Sequence, residues 1–135
     1  MDLNQITLPC LDYDESVRFY KALGLTQIVD SPPRYARFET GAGTTLSIHS
    51  SSPAVDRTDT VIYFEVEDVD LEVRRLERLG LVFESMPADQ DWLWREAYLR
   101  DPAANLICVY RAGHNRRFPP WRIDEDVVEK TGDQE

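Results

Sequence analysis

The chain has no long apolar run. Nowhere do about 18 apolar residues follow one another, the minimum for a helix that spans a bilayer, so membrane insertion is not expected. The opening residues, MDLNQITL, carry neither a basic n-region nor an apolar h-region, so a cytoplasmic location is expected. Cysteine is scarce as well. Cys10 and Cys108 are the only two, too few for a disulfide framework or a cysteine-based zinc knuckle. Basic residues are outnumbered, 15 against 25 acidic, which leaves a formal charge of −10 over 135 residues. A field of that sign repels phosphate backbones and anionic bilayers, so nucleic acid and membrane are not expected partners. A neutral or cationic small molecule fits better, although acid that simply keeps the chain soluble is the plainer reading. The excess is not confined to the tail, because residues 1–110 already hold 10 basic and 19 acidic side chains.

What the chain does have is an internal repeat. The stretch WREAYLRDPAANLICVY, residues 94–110, combines two β-prone flanks with a turn of Asp, Pro, Ala and Asn, and so predicts a hairpin. At an offset of 61, which matches Arg34, Ala36, Leu46 and Ser47 to Arg95, Ala97, Ile107 and Cys108, the stretch RYARFETGAGTTLSIHS reads as a second hairpin over residues 34–50 that turns at Gly41-Ala42-Gly43. A further repeat precedes each hairpin at an offset of 56. Ile6, Leu8, Asp12, Asp14, Val17, Leu23, Gly24 and Leu25 match Ile62, Phe64, Asp68, Asp70, Val73, Leu79, Gly80 and Leu81. The expected architecture is therefore α+β, two tandem βαβββ modules forming a curved mixed sheet around a cleft. Residues 1–52 form the first module, 53–59 a polar linker, 60–111 the second module, and 112–135 a C-terminal arm and acidic tail. With 42% hydrophobic content the chain has enough apolar surface to close a core.

The local signals agree. Ile6, Leu8 and Cys10 alternate onto one face of a strand over residues 4–11. Asp12-x-x-Glu15 has the form of a capping box, and Val17, Tyr20 and Leu23 recur at helical spacing until Gly24. A short strand follows over residues 26–29, ended by Pro32-Pro33. In the second half the expected elements are a strand over residues 60–66, a helix from about Asp70 to Leu79 with Val69, Val73, Leu76 and Leu79 as its buried stripe, a strand over residues 81–85, and a loop over residues 86–91. Phe118-Pro119-Pro120-Trp121 is apolar enough to pack as an extended arm on its own sheet or on a second subunit. The acidic tail beyond it has few anchors.

The paired βαβββ units, each with an Asp ahead of a helix that ends in Leu-Gly, together with the closing Asp101-Pro102-x-x-Asn105 hairpin, resemble the vicinal oxygen chelate superfamily. That superfamily includes glyoxalase I, extradiol dioxygenases, fosfomycin-resistance and bleomycin-resistance proteins. The match covers roughly residues 3–111. The resemblance implies a cleft, often completed in a homodimer, in which one residue from each of four strands holds a divalent metal. At those positions this chain has Gln5, Ser47, Val61 and Cys108. Only the neutral Gln5 is an ordinary ligand for a hard cation, and Val61 cannot ligate at all, so no metal and no cofactor are expected. His49 shares the strand parity of Ser47 and is a candidate ligand or acid/base, with a solvent-facing histidine at a strand end as the plainer alternative.

Further ligand-binding candidates come from the second hairpin. Trp94, Glu96 and Tyr98 share one strand face, which sets a carboxylate between two aromatic rings, an arrangement suited to a cationic or planar molecule. Arg95 points the other way, where pairing with another charge is its expected role. No catalytic residue is assigned. The ligand tally favours a metal-free, dimeric small-molecule-binding protein of the glyoxalase and bleomycin-resistance kind. The alternative is a metal-dependent lyase or dioxygenase of the same superfamily with non-standard ligands, Gln5 and His49 among them, and a dimeric scaffold without a ligand is a third possibility.

Overall fold

The computed structural model describes residues 1–51 and 59–123. Most of the expected linker and the whole acidic tail beyond residue 123 lie outside the described residues. Within them the element order is β1 (Gln5–Cys10), α1 (Tyr13–Leu23), β2 (Thr26–Ser31), β3 (Tyr35–Glu39), β4 (Thr45–Ser50), β5 (Val61–Glu65), α2 (Val69–Arg78), β6 (Phe83–Asp89), β7 (Arg95–Arg100) and β8 (Leu106–Arg111). A short 3-10 turn, Gly113–Arg116, follows. The strands form two four-stranded sheets of identical topology, β1-β4-β3-β2 and β5-β8-β7-β6. In each, the first strand runs parallel to the last and the other pairings are antiparallel. The repeat in the sequence is thus a repeat in space: two βαβββ modules.

Both helices begin as their capping residues dictate. Asp12 and Asp68 are extended, and each side chain accepts the backbone N–H three residues on, from Glu15 and Leu71 at 3.0 Å. The acids of each first turn oppose the helix dipole. Gly24 ends α1 in the left-handed region at φ +106, a conformation that glycine adopts without steric cost. Helix α2 starts at Val69, a residue earlier than expected, directly after its cap Asp68. Its stripe is Val69, Val73 and Leu76. Leu79 does not belong to it: as the C-cap it has left the helical path, and it is 56% exposed.

One core serves both modules. Leu8, Tyr20, Phe38, Leu46 and Ile48 from the first half and Val73, Leu76, Leu99, Ile107 and Val109 from the second belong to a single cluster of buried side chains. Each such burial is worth about 1.5–3 kcal/mol. The turn of the second hairpin clamps the halves together. Asp101, itself buried, accepts from the backbone N–H groups of Ala103 and Asn105 at 2.9 Å, and from the Asn105 amide at 2.7 Å. It also accepts the Tyr20 hydroxyl of α1 at 2.5 Å, while the Asn105 amide reaches the Pro9 carbonyl of β1 at 3.0 Å. Aspartate and asparagine in this turn are therefore structural.

Two expectations are corrected. Residues 86–89 are not a loop but the end of β6, which continues to Asp89 because its register shifts between Phe83 and Ser85 and again between Ser85 and Ala88 let it follow β7. Phe118–Trp121 is not an extended arm on the sheet. The Phe118 N–H bonds to the His114 carbonyl, its ring stacks on His114 at 5.2 Å and lies under the Arg122 guanidinium at 4.5 Å, and Trp121 is 57% exposed. The cation–π contact and the stacked imidazole hold the ring in a local turn, where Phe118 stays 43% exposed.

Candidate functional site

Among the described residues strand β1 pairs only with β4, and β5 only with β8, so each leaves one edge unpaired there. Between these strands runs a groove of about 380 Å³, lined by Leu3, Gln5, Ile6 and Leu46 from the first module and by residues 61–64 from the second. Strand parity then decides what flanks it. Ile6, Leu46 and Ile62 turn to the helices and the core. Their neighbours Gln5, Thr45, Val61 and Tyr63 turn the opposite way, onto the helix-free faces of the two sheets.

On the first module that face is polar and joined across three strands. Gln5 on β1 donates through Nε2 to the Ser47 hydroxyl on β4 at 3.0 Å and to Thr7 Oγ1 at 3.1 Å, and Thr45 donates to the Gln5 amide oxygen. Ser47 in turn lies 2.6 Å from the Tyr35 hydroxyl on β3, and Arg37 donates through Nε to the same phenol oxygen at 2.9 Å. The hydrogen bond with Ser47 and the bond and charge of Arg37 pull the Tyr35 phenol below its ordinary pKa, against the opposing effect of burial. His49 stands apart. It is exposed at the end of β4, with its Nδ1 2.9 Å from the Ser50 carbonyl, the place that the plainer of the two expectations gave it.

The same face of the second module is aromatic, with one buried carboxylate. Trp94 stacks on Tyr110 at 4.8 Å, and Tyr63 meets both rings edge-on, at 5.8 and 5.3 Å. Glu96 is only 2% exposed. Tyr98 donates to its Oε1 and the Trp92 indole to its Oε2, each at 2.8 Å. Burial, then the bond to Glu96, drive the Tyr98 phenol far above its usual range, so it stays a donor. Cys108 is fully buried beneath Val61, Trp94 and Tyr98. Desolvation, with the nearby charge of Glu96, pushes its thiol up to about 12. Arg95 does face the other side, where it pairs with Asp70 at 2.7 Å and Asp89 at 3.0 Å.

Of the residues singled out in the sequence, Gln5 and Ser47 come together on the first sheet, and Trp94, Glu96, Tyr98 and Cys108 on the second. Tyr35 and Arg37 were missed, as were Tyr63, Tyr110 and the contact of Trp92 with Glu96. Period-two alternation within each strand carried the signal for the first four. Trp92 lies in the turn before β7 and follows no strand parity, so nothing in the sequence placed its indole on Glu96.

Comparison with known proteins converges on one family. The chain belongs to the Glyoxalase/Bleomycin resistance protein/Dioxygenase superfamily, whose model matches residues 2–109. It is 32% identical to the uncharacterized protein YraH of Bacillus subtilis (strain 168), over 82% of this chain and 98% of that protein. Among solved structures it is similar to the bleomycin resistance determinant encoded on the transposon Tn5, with a TM-score of 0.68 and 20% identity, covering 84% of this chain and 99% of that one. It is likewise similar to a lactoylglutathione lyase from Agrobacterium tumefaciens, with a TM-score of 0.67 and 22% identity over 82% and 92% of the two chains. At such identities these likenesses fix the fold, and a fold shared by a resistance determinant and a lyase does not choose between binding and turnover.

The residues at the family's metal positions do not fit a metal. Val61 has no donor atom. Cys108 is a soft donor, buried beneath Val61, Trp94 and Tyr98, and does not suit a hard divalent cation. The Ser47 oxygen is engaged by Gln5 and Tyr35. Gln5 alone would be left, and one neutral amide does not hold a hard divalent cation.

Proposed function

We propose that this chain is a metal-free small-molecule-binding protein of the superfamily, working as a homodimer, and that it takes an aromatic or amphiphilic molecule of neutral to cationic character. One observation carries the reading. Beside the groove, which lacks metal ligands, the second sheet presents Tyr63 and Trp94 as ring surface backed by the buried ring of Tyr110, and holds the buried Glu96 carboxylate on the same face. Ring faces attract cations through their quadrupole, and a carboxylate in a poorly hydrated site is screened little, so the two reinforce each other for a positively charged ligand. The acidic body of the chain adds a long-range field of the same sign. Candidate contacts are Gln5, Ser47, Trp94, Glu96 and Tyr98, with Cys108 beneath them and His49 at the margin.

The reading is tested in two measurements. Protein purified without added metal should contain less than stoichiometric zinc, nickel, manganese and iron by elemental analysis. Benzyltrimethylammonium should raise its melting temperature, and Trp94→Ala should abolish that rise. Stoichiometric metal that is lost on changing Gln5, or a cation response indifferent to Trp94, would sink the proposal.

A further inference from the structure

The polar face of the first module is left unexplained by an aromatic and acidic site across the groove. Its hydrogen bonds show a surplus of donors. The Ser47 oxygen accepts from Gln5 Nε2 and lies 2.6 Å from the Tyr35 oxygen, which also accepts from Arg37 Nε. Whichever hydroxyl donates in the Ser47–Tyr35 bond, the other keeps a hydrogen with no acceptor among the described residues. Ser47 is fully buried and Tyr35 half-exposed. Leaving the spare hydrogen on Ser47 would bury an unsatisfied donor, so the favoured arrangement has Ser47 donating to Tyr35 and the Tyr35 hydrogen turned to the open face. The lowered pKa of Tyr35 agrees with an oxygen that accepts from two sides.

Arg37 is the second element. Arg75, Arg95 and Arg100 are each paired with a carboxylate, through Glu72, Asp70 and Glu84. Arg37, exposed on the sheet face directly opposite Ser47, has none among the described residues. Its one side-chain hydrogen-bond partner among the described residues is the Tyr35 phenol, over whose ring it lies at 5.4 Å. Glu39 shares its face one pleat along β3, opposite Thr45, and forms no ion pair with it. In a chain of charge −10, an unneutralised guanidinium beside an outward hydroxyl is a place built for a negative charge that the protein does not itself supply.

We propose that Arg37 and Tyr35, the latter positioned by Ser47, form an oxyanion subsite, and that the ligand of this protein carries a carboxylate, or an oxyanion of like geometry, in addition to its aromatic body. This deepens the binding function proposed above and rests on it. The subsite connects to the groove through Gln5, which bonds Ser47 on one side and lines the groove with Tyr63 on the other. Since β3 lies two strands from β1, the oxyanion sits roughly 10 Å from the groove edge, which sets the length of the molecule at about two aromatic rings.

Isothermal titration of the full chain with benzoate, benzyltrimethylammonium and their zwitterionic hybrid, 4-(trimethylammoniomethyl)benzoate, tests this. Arg37→Gln should weaken benzoate and the hybrid by roughly tenfold, the loss of a charge-assisted hydrogen-bond pair, and leave benzyltrimethylammonium within about twofold. Tyr35→Phe should weaken benzoate as well. Arg37 is exposed, so its variant keeps the fold, and circular dichroism verifies that. Binding of benzyltrimethylammonium without benzoate overturns the subsite and leaves the aromatic site standing. Benzoate binding that is indifferent to both Arg37 and Tyr35 overturns the subsite too. Benzoate binding that depends on Arg37, without any response to the cation, supports the subsite and removes the cationic part of the earlier reading. No binding of any of the three removes both.

Discussion

At the scale of single residues, two buried groups make sharp predictions because burial has left each with a known deficit. Ser16 on α1 is fully buried and its hydroxyl has no hydrogen-bond partner among the described residues. A hydroxyl in that state loses its hydration without compensation, and serine is also the weaker helix former, so Ser16→Ala should stabilise the protein by about 1 kcal/mol in urea unfolding. A destabilised variant would show that a buried water serves the hydroxyl. Cys108 predicts the alkaline limit of stability. Its folded pKa is raised above the unfolded value, so its contribution is fully present below pH 9 and is lost as the pH rises through about 12. Cys108→Ala should flatten the fall in stability across that window, measured as urea midpoint against pH. The same shift keeps the thiol un-ionised at pH 8, where iodoacetamide should leave Cys108 unmodified until the protein is unfolded. Labelling of the native protein at the rate of a free thiol would contradict the burial.

Elements come next, and here the hairpin turn is the part whose role the sequence disguised. Asp101-Pro102-x-x-Asn105 was legible as a turn and as a family signature, but its carboxylate does more than close the turn, since it also receives Tyr20 from the other module. Asp101→Ala would strand the Tyr20 hydroxyl and two backbone N–H groups in or near the core. The expected cost is about 3–5 kcal/mol, against about 1 kcal/mol for removing the exposed helix cap by Asp12→Ala. Denaturant melts of the two variants side by side check the order, and an Asp101→Ala loss no greater than that of the cap would mean that the clamp is dispensable. The contrast explains what could be read in advance. Repeats, capping aspartates and strand parity are local, so the two modules and the shared face of Trp94, Glu96 and Tyr98 followed from spacing alone. Contacts such as Tyr20 with Asp101 join residues 81 positions apart, and the Arg37, Tyr35, Ser47 and Gln5 chain crosses three strands. Those depend on registers that no one-dimensional pattern specifies. The run of β6 through residues 86–89 was missed for a related reason, because its two register shifts break the alternation by which strands are recognised.

For the whole molecule the balance between apolar surface and charge decides how two copies would meet. Val82, Trp92, Leu93 and Trp121 are large apolar side chains left exposed on the second module and the segment after it. Such surface favours association, while two bodies of −10 each repel. Apolar burial is insensitive to moderate salt, whereas repulsion between exposed charges is screened, so the two can be separated. Between about 20 mM and 300 mM sodium chloride the screening length contracts from roughly 20 Å to roughly 6 Å. The proposed homodimer should therefore tighten across that range in sedimentation equilibrium, and Trp121→Ser should weaken it at both salts if that residue is part of the contact. A dimer that loosens with salt would be held by ion pairs, and the apolar residues would need another explanation. A chain that stays monomeric at micromolar concentration throughout would confine the site to one copy, with the groove between β1 and β5 and the faces beside it as the whole of its binding surface.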